Sequence, residues 1–363
     1  IQHHSSYGIY ANNSNNGPTI QNNTISNNNS YGIYTDSCSS LVIHSNVVSD
    51  NNSNGLSVRS GTSTISENTV SSNNTGLSLN RGTHVVGQNK VTNNGSLGVY
   101  LSDWGTYTLS GNTISNHSRT GISCSGTVKL IDNVISGNNG SWSPPWSGSG
   151  GGVWHSSGTL TATGNTITGN ANGVGIYAQD WTEIKGNTIS GNKVGLLLSQ
   201  NKPFTFNNLQ GNSLWGVYVQ GQGTGDLTAG YNWWGTTDGA VIAGYIRDFY
   251  DDFNYYRVDY SPLLAEVVSG TDVVGPAGPS VAINQGASVT DAVEVNLQLS
   301  AEGASQMMVS EKTDFSDAAW QAYATSLVFN LSNRICPDNI YSNLIAVLVL
   351  FLFASFYCYK YYE

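Results

Sequence analysis

A single glycine, repeated at nearly constant intervals, limits what this chain can become. The phrase GNTISGNKVGLLLS (residues 186–199) recurs as NNTISNNNSYGIY from Asn22, GNTISNHSRTGIS from Gly111 and GNTITGNANGVGIY from Gly164. Lining up its last glycine gives Gly8, Gly32, Gly55, Gly76, Gly98, Gly121, Gly152, Gly175, Gly195 and Gly216. Eight of the nine intervals are 20–24 residues, and one, Gly121 to Gly152, is 31. A unit this short cannot bury its own apolar face, so successive copies must stack as the coils of a solenoid.

The pattern inside each copy selects the kind of solenoid. The residue after each glycine is always apolar, from Ile9 and Ile33 through to Leu196 and Val217, and the next two alternate around it. Period two marks a strand with one buried face. A second strand follows the asparagine, as in Asn23-Thr-Ile25 and Asn187-Thr-Ile189, and a third lies between, as in Leu41-Val-Ile43 and Val128 to Leu130. Three short strands per turn without helical periodicity predict an all-β, parallel β-helix. A leucine-rich repeat would need a leucine consensus that these copies lack.

Coils in such a solenoid lie about 4.8 Å apart, so equivalent residues form columns. Asn23, Asn46, Asn68, Asn89, Asn112, Asn133, Asn165, Asn187 and Asn207 form one column, predicted to hydrogen-bond along the axis as a structural ladder. The glycines and asparagines at the corners are expected to supply the backbone conformations of tight turns. With these motifs, residues 1–230 resemble the right-handed parallel β-helix repeat family, whose relatives include pectin-lyase-like enzymes and NosD-type periplasmic proteins. The resemblance implies the fold, and it leaves the activity to whatever sites the surface carries.

Charge is unevenly placed. Residues 1–230 hold eight Lys/Arg and eight Asp/Glu, and residues 231–363 hold five and fifteen, which is the whole net charge of −10. A neutral solenoid with an acidic end lacks the basic face that nucleic-acid binding requires. The first residues, from Ile1, already read as part of a coil, as if the chain were a piece of a longer protein. Cys38 and Cys124 fall four coils apart, about 19 Å, too far for a disulfide. Cys124 takes an inward position. No Cys/His spacing predicts a metal site, and no cofactor is expected.

Residues 231–264 read as a C-terminal cap. Ile242, Ile246, Phe249 and Phe253 recur at helical spacing, predicting an amphipathic helix over the open end, and the NWWGT phrase resembles the close of secreted β-helix proteins. Asp248, Asp251, Asp252 and Asp259 lack EF-hand spacing and are read as a solvated cap face. Residues 265–279 form a Gly-Pro linker. Residues 280–329 resemble the start of a bacterial Ig-like module, a truncated β-sandwich with Val293, Val295, Leu297 and Leu299 alternating and Trp320 in its core. Within residues 330–363, the run LIAVLVLFLFASFYCY, Leu344 to Tyr359, is sixteen residues, just short of the about 17–25 of a spanning helix. It reads either as a membrane anchor ending at Lys360 or as a non-native tail replacing the last Ig strands.

Chemistry should sit on the outward positions of the strand after each glycine. One column there includes Tyr10, Tyr34, Tyr100, Trp154, Tyr177 and Tyr218, and the next includes Asn12, Asp36, Arg59, Asn80 and Gln179. Aromatic rings beside amides and hydroxyls suit a neutral sugar chain. The 31-residue interval carries GNNGSWSPPWSGSGG (residues 137–151), a loop predicted to project Trp142 and Trp146 beside Trp154 and Tyr177, with Gln179, Asp180 and Trp181 at the far edge. These seven residues are the expected glycan groove.

No catalytic residues are assigned. Glycoside hydrolysis needs paired carboxylates, and the outward columns hold one, Asp36. Asp36 beside Arg59 reads as an ion pair, Asp103 and Asp180 are three coils apart, and His155 stands alone. The expected function is therefore a secreted or cell-surface, non-catalytic scaffold binding polysaccharide or cell-surface glycan, or serving adhesion. The alternative is a polysaccharide-active lyase, hydrolase or epimerase of the pectin-lyase-like fold.

Overall fold

The structure, a computed structural model, describes residues 1–14, 16–102, 104–143, 150–267, 277–285, 293–302, 306–310, 319, 321–330, 348–353 and 356–360. The chain divides into two compact units, Ile1–Asp272 and Val273–Glu363. The first is the parallel β-helix. Strands after the repeat glycines pair in register from Ile9↔Ile33 to Leu196↔Val217, and the cap adds Val217↔Ile246. A second face is continuous with the first in strands such as Ile33–His44 and Gly151–Thr163. The third face is a separate eight-stranded sheet running from Thr24–Ser26 to Thr188–Ser190. Each of its strands turns one residue inward, from Ile25 and Val48 to Ile167 and Ile189, all fully buried. Inward residues of the three faces make one continuous core.

Asparagine amides fill the corners between faces. Asn112 shows the pattern. Its backbone N–H and Nδ2 both donate to Asn133 Oδ1 on the next coil, at 3.0 and 2.9 Å. Nδ2 also reaches Val86 O one coil back, at 2.9 Å, and Ser110 O at 3.2 Å. Its own Oδ1 accepts from the backbone N–H and Nδ2 of Asn89. The expected column is thus a ladder of saturated amides, and it extends one rung further, to Asn232.

A second ladder runs five residues behind the first. Asn28, Asn51, Asn73 and Asn94 repeat the same bonds, and after one interruption Asn138, Asn170, Asn192 and Asn212 continue them. The interruption is His117. Its Nδ1 accepts from Asn94 N–H at 3.1 Å, so the proton sits on Nε2, which donates to Val91 O at 3.2 Å. Its backbone N–H donates to Asn138 Oδ1. The imidazole therefore replaces an amide with donor and acceptor in matching places. At the far end the Tyr245 hydroxyl takes the next rung, accepting from Asn212 N–H and facing Leu209 O and Asn212 O.

The repeat glycine serves this second ladder, and the turn conformations expected of corner glycines and asparagines lie at other positions. None of the ten lies at positive φ. A Cβ on Gly32 would stand 2.4 Å from Val48 Cγ1, 2.7 Å from Gly55 O and 2.9 Å from Asn51 Nδ2. The column is glycine because backbone, apolar core and ladder amide meet there. Positive φ belongs instead to the residue before each rung: Asn22, Ser45, Glu67, Gln88 and Asp132 adopt φ of 53–57°, and Gly111, Gly164 and Gly186 do so without a Cβ to accommodate.

The cap differs from the predicted amphipathic helix. Only Gly239–Gly244 is helical, with Asp238 as N-cap accepting from Ala240 and Val241 N–H. Ile242 is buried beneath it, while Ile246 belongs to the next strand, Ile246–Arg247, and Phe253 is exposed. The 242/246/249/253 spacing spans a helix, a strand and a turn. The aspartates there build turns: Asp248 accepts from Val258 and Tyr250 N–H, and Asp259 from Ser261 N–H.

In the second unit, Glu294–Glu302 pairs antiparallel with Ala277–Ile283 and Ser326–Asn330. Val295, Leu297 and Leu299 are buried as the alternation predicts, and Val293 is exposed. Trp320 lies outside the described residues. The apolar run is not a helix where it is described. Leu348–Phe353 and Phe356–Lys360 pair antiparallel, and the former also pairs with Gln306–Ser310. Among the described residues no helix is long and apolar enough to cross a membrane.

Two outcomes follow from the ladders. Burial pushes the His117 pKa down to about 4, against about 6.5 for a free imidazole. Between those values the unfolded chain takes up a proton that the folded His117 refuses, so the His117 contribution to stability is level above pH 6.5, falls toward pH 4 and flattens below. The gap corresponds to about 3 kcal/mol. His117→Asn should remove that part of the acid loss; urea unfolding at pH 7 and pH 4.5 measures it, and unchanged losses would count against the assignment. The glycine column predicts that Gly76→Ala, whose Cβ would meet Gly98 O at 2.6 Å, is destabilising by about 1–3 kcal/mol. Gly87→Ala, with nothing nearer than 3.6 Å, should stay within about 0.5 kcal/mol in the same unfolding assay.

Candidate functional site

The outward column of the first face has the register its sequence predicts. Tyr10 pairs with Tyr34, Tyr34 with Ser57, Ser123 with Trp154, Trp154 with Tyr177, and Leu197 with Tyr218. Its exposure varies along the solenoid: Tyr10 and Tyr100 are exposed, while Ser57 and Ser78 between them are buried. From Tyr177 onward the column is covered, because Trp142, Val174, Tyr177, Val194, Leu197 and Tyr218 form a second apolar cluster on the outside of the coils.

Trp142 closes that cluster, which overturns its expected projection into solvent. It is 2% exposed and meets the Tyr218 ring edge-on at 5.5 Å. Its backbone is held on both sides, N–H to Asn172 O at 3.0 Å and carbonyl from Lys193 Nζ at 3.0 Å. The start of the insertion is thus a strap folded back on the solenoid. Trp146 lies outside the described residues.

Trp154 and Tyr177 do neighbour each other, with ring centroids 4.2 Å apart. Tyr177 is nevertheless buried, and its hydroxyl donates to Gln179 Oε1 at 2.5 Å. Asp180 is engaged as well, accepting from Trp181 N–H at 2.7 Å and pairing with Lys202. Trp181 is not at a groove edge. A register shift between Leu160 and Thr161 turns it inward, where it is fully buried in the main core and donates from Nε1 to Pro203 O at 2.9 Å. The seven residues therefore do not gather into an open groove among the described residues.

Other candidates resolve in the same way. His155 and Cys124 point into the core, and burial lowers the pKa of the first and raises that of the second. Asp103 lies outside the described residues. Asp36 accepts from the Ser37 and Ser60 hydroxyls at 3.1 and 3.2 Å, while Arg59 Nη1 donates to Tyr34 Oη at 3.2 Å, so the expected ion pair is instead two neighbouring polar groups. The Tyr34 hydroxyl, and after it the Asp36 charge, hold the Arg59 pKa up.

Tyr100 is exposed singly in the same column, and a cluster of accessible rings lies at the other end of the face. The phrase SYGIY occurs twice, at residues 6–10 and 30–34, and stacks on itself. Tyr10 and Tyr34 lie parallel within 4°, with centroids 5.7 Å apart; Tyr7 and Tyr31 are stacked at 5.6 Å. Tyr7 bridges the pairs at 5.2 Å from both Tyr10 and Tyr34. Tyr10 is 54% exposed, and Arg59 and Asp36 border the patch. Tyr7 and Tyr31 escaped the sequence reading because they precede the glycine, outside the alternating strand; the doubled SYGIY was the available signal.

The comparisons with known proteins bear on the fold. The model described as right handed beta helix region matches residues 1–94 and 75–232. No curated protein matches in sequence. Among solved structures, the enzymatically active domain of tailspike protein 2 of bacteriophage CBA120 aligns at 10% identity, covering 100% of this chain and 71% of that one with a TM-score of 0.39. A likeness at that level carries no argument about chemistry.

The strap gives a stability prediction. Trp142→Ala removes the centre of the outer cluster and should destabilise the solenoid by about 3–5 kcal/mol, as for other buried tryptophans. Thermal unfolding measures it, and a change no larger than that of an exposed residue would mean that the strap does not hold.

Proposed function

Because the chain belongs to the right-handed β-helix family, whose coils hold structure inside and leave recognition to outward columns, we propose that it is a non-catalytic glycan-binding scaffold, displayed outside the cell or on its surface. Its binding surface is the patch of Tyr7, Tyr10, Tyr31 and Tyr34, with Arg59 and Asp36 at the edge. The observation that carries this reading is four rings spaced 5.2–5.7 Å across two coils on an otherwise polar surface. Phenol rings present an apolar face and a polar tip, the combination that a sugar ring with its hydroxyl rim requires. Arg59 supplies donors and Asp36 acceptors, and their charges cancel, which favours a neutral glycan over an acidic one. The register of the coils fixes the rings in advance, so little ordering entropy opposes binding.

The test is calorimetric titration with a panel of neutral oligosaccharides. Tyr10→Ala/Tyr34→Ala should bind about tenfold more weakly or worse, a loss of about 1.4 kcal/mol, while its melting temperature stays near that of the wild type. Equal affinity in the double variant, or no binding by the wild type to any member, overturns the proposal.

A further inference from the structure

The third face of the solenoid carries a pattern that neither the core nor the proposed glycan surface uses. Its eight strands read TIS, VVS, TVS, KVT, TIS, VIS, TIT and TIS. The middle residue of each points inward, so the outer two form parallel columns on the surface. The second column is a hydroxyl at every strand, and the first is threonine in five of eight. No register shift interrupts any pairing in this sheet, whereas the other faces contain shifts. The columns therefore repeat about every 4.8 Å along the axis and stand about 6.6 Å apart, over a length of about 34 Å.

The hydroxyls are unspent. Only Ser26 and Thr188 accept a side-chain hydrogen bond, from Asn27 and Asn208. Thr92 and Ser115, in the middle of the array, are each 8% exposed, yet their hydroxyls have no hydrogen-bond partner among the described residues. Neither oxygen is among the fully enclosed side-chain atoms without a partner, so each hydroxyl still reaches the surface and bonds outward, to whatever lies on the face. No aromatic ring stands in either column and Lys90 is the one charge. A sugar chain would find no ring to stack on, and an acidic or basic partner would find almost no counter-charge.

We propose that this face binds the surface of ice. What fits is a lattice of oxygens with repeats in two directions close to those of the columns, and the oxygens of hexagonal ice have such repeats. The threonine and valine methyls between hydroxyls order the adjacent water without competing for its bonds. Val47 and Val134 keep the methyls and omit the oxygen, so they interrupt the array mildly. Lys90, a charged and hydrated side chain, interrupts it more and divides the array into a run of three strands and a run of four, the longer of which contains Thr166. This proposal is independent of the glycan surface, which lies on another face.

The full chain can be tested in a slowly growing ice hemisphere and by thermal hysteresis of a single ice crystal. Wild-type protein should enter the ice and depress its growth temperature. Thr166→Lys, an outward change that leaves the core alone, should lose both effects, and Lys90→Thr, which completes the column, should strengthen them. Circular dichroism and an unchanged melting temperature establish that the variants are folded. Exclusion of the wild type from ice overturns the proposal, as does entry that Thr166→Lys leaves unchanged. Adsorption of the wild type to crystalline cellulose or chitin through this face, with no effect on ice, would also overturn it.

Discussion

Stacked amides hold the corners of this molecule, and much else follows from their demands. An asparagine rung is stable when buried because every donor and both lone-pair directions of its amide are used, on its own coil and on both neighbours. That saturation is possible only if successive coils keep register at the corner. The ladders thus fix the spacing at which the apolar columns stack, rather than merely decorating a shape that the core has already chosen. The left-handed residue before each rung carries a local conformational cost, offset by the bonds the rung then makes.

The two ladders lie five residues apart on either side of one short strand, so the third face is clamped at both edges. This explains why the eight-stranded sheet has no register shift while the bends between the first and second faces do. It also explains why the glycine column is so constant. Eight of the ten glycines abut a second-ladder amide and the neighbouring glycine carbonyl, Gly98 meets the His117 ring in place of the amide, Gly216 meets the Tyr245 ring, and in every case the space admits no Cβ. His117 shows how narrow the tolerance is: another side chain enters the ladder only by presenting an acceptor and a donor in the amide's places.

Much of this was legible in the sequence, since a period of one coil makes every structural column visible as a repeated letter. The first ladder, the inward columns and the outward register could be read directly. The second ladder has the same spacing but does not stand out, because its asparagines resemble corner filler and His117 breaks the series. Exposure was not legible. Whether an outward tryptophan meets solvent depends on what crosses above it, and the strap bearing Trp142 is set by contacts with Asn172 and Lys193, far away in sequence. Trp181 was misplaced for a local reason, a shift of register that alternation cannot reveal. In the cap, apolar residues at helical spacing came from three consecutive elements rather than one.

The direction of the ladders has a consequence for how such a chain can change length. Between successive asparagine rungs the side-chain oxygen always accepts from the earlier coil, while the backbone N–H and Nδ2 donate to the oxygen of the later one. Wherever both rungs are asparagine, the seam between two coils is therefore chemically the same seam. A whole coil can be duplicated or lost without altering the joints on either side, and the terminal piece need supply only an acceptor where the next rung would be. Here Tyr245 offers one oxygen and Asn232 another. Such a molecule behaves as a polymer with a polarity, extended by identical links and ended by a two-atom stop.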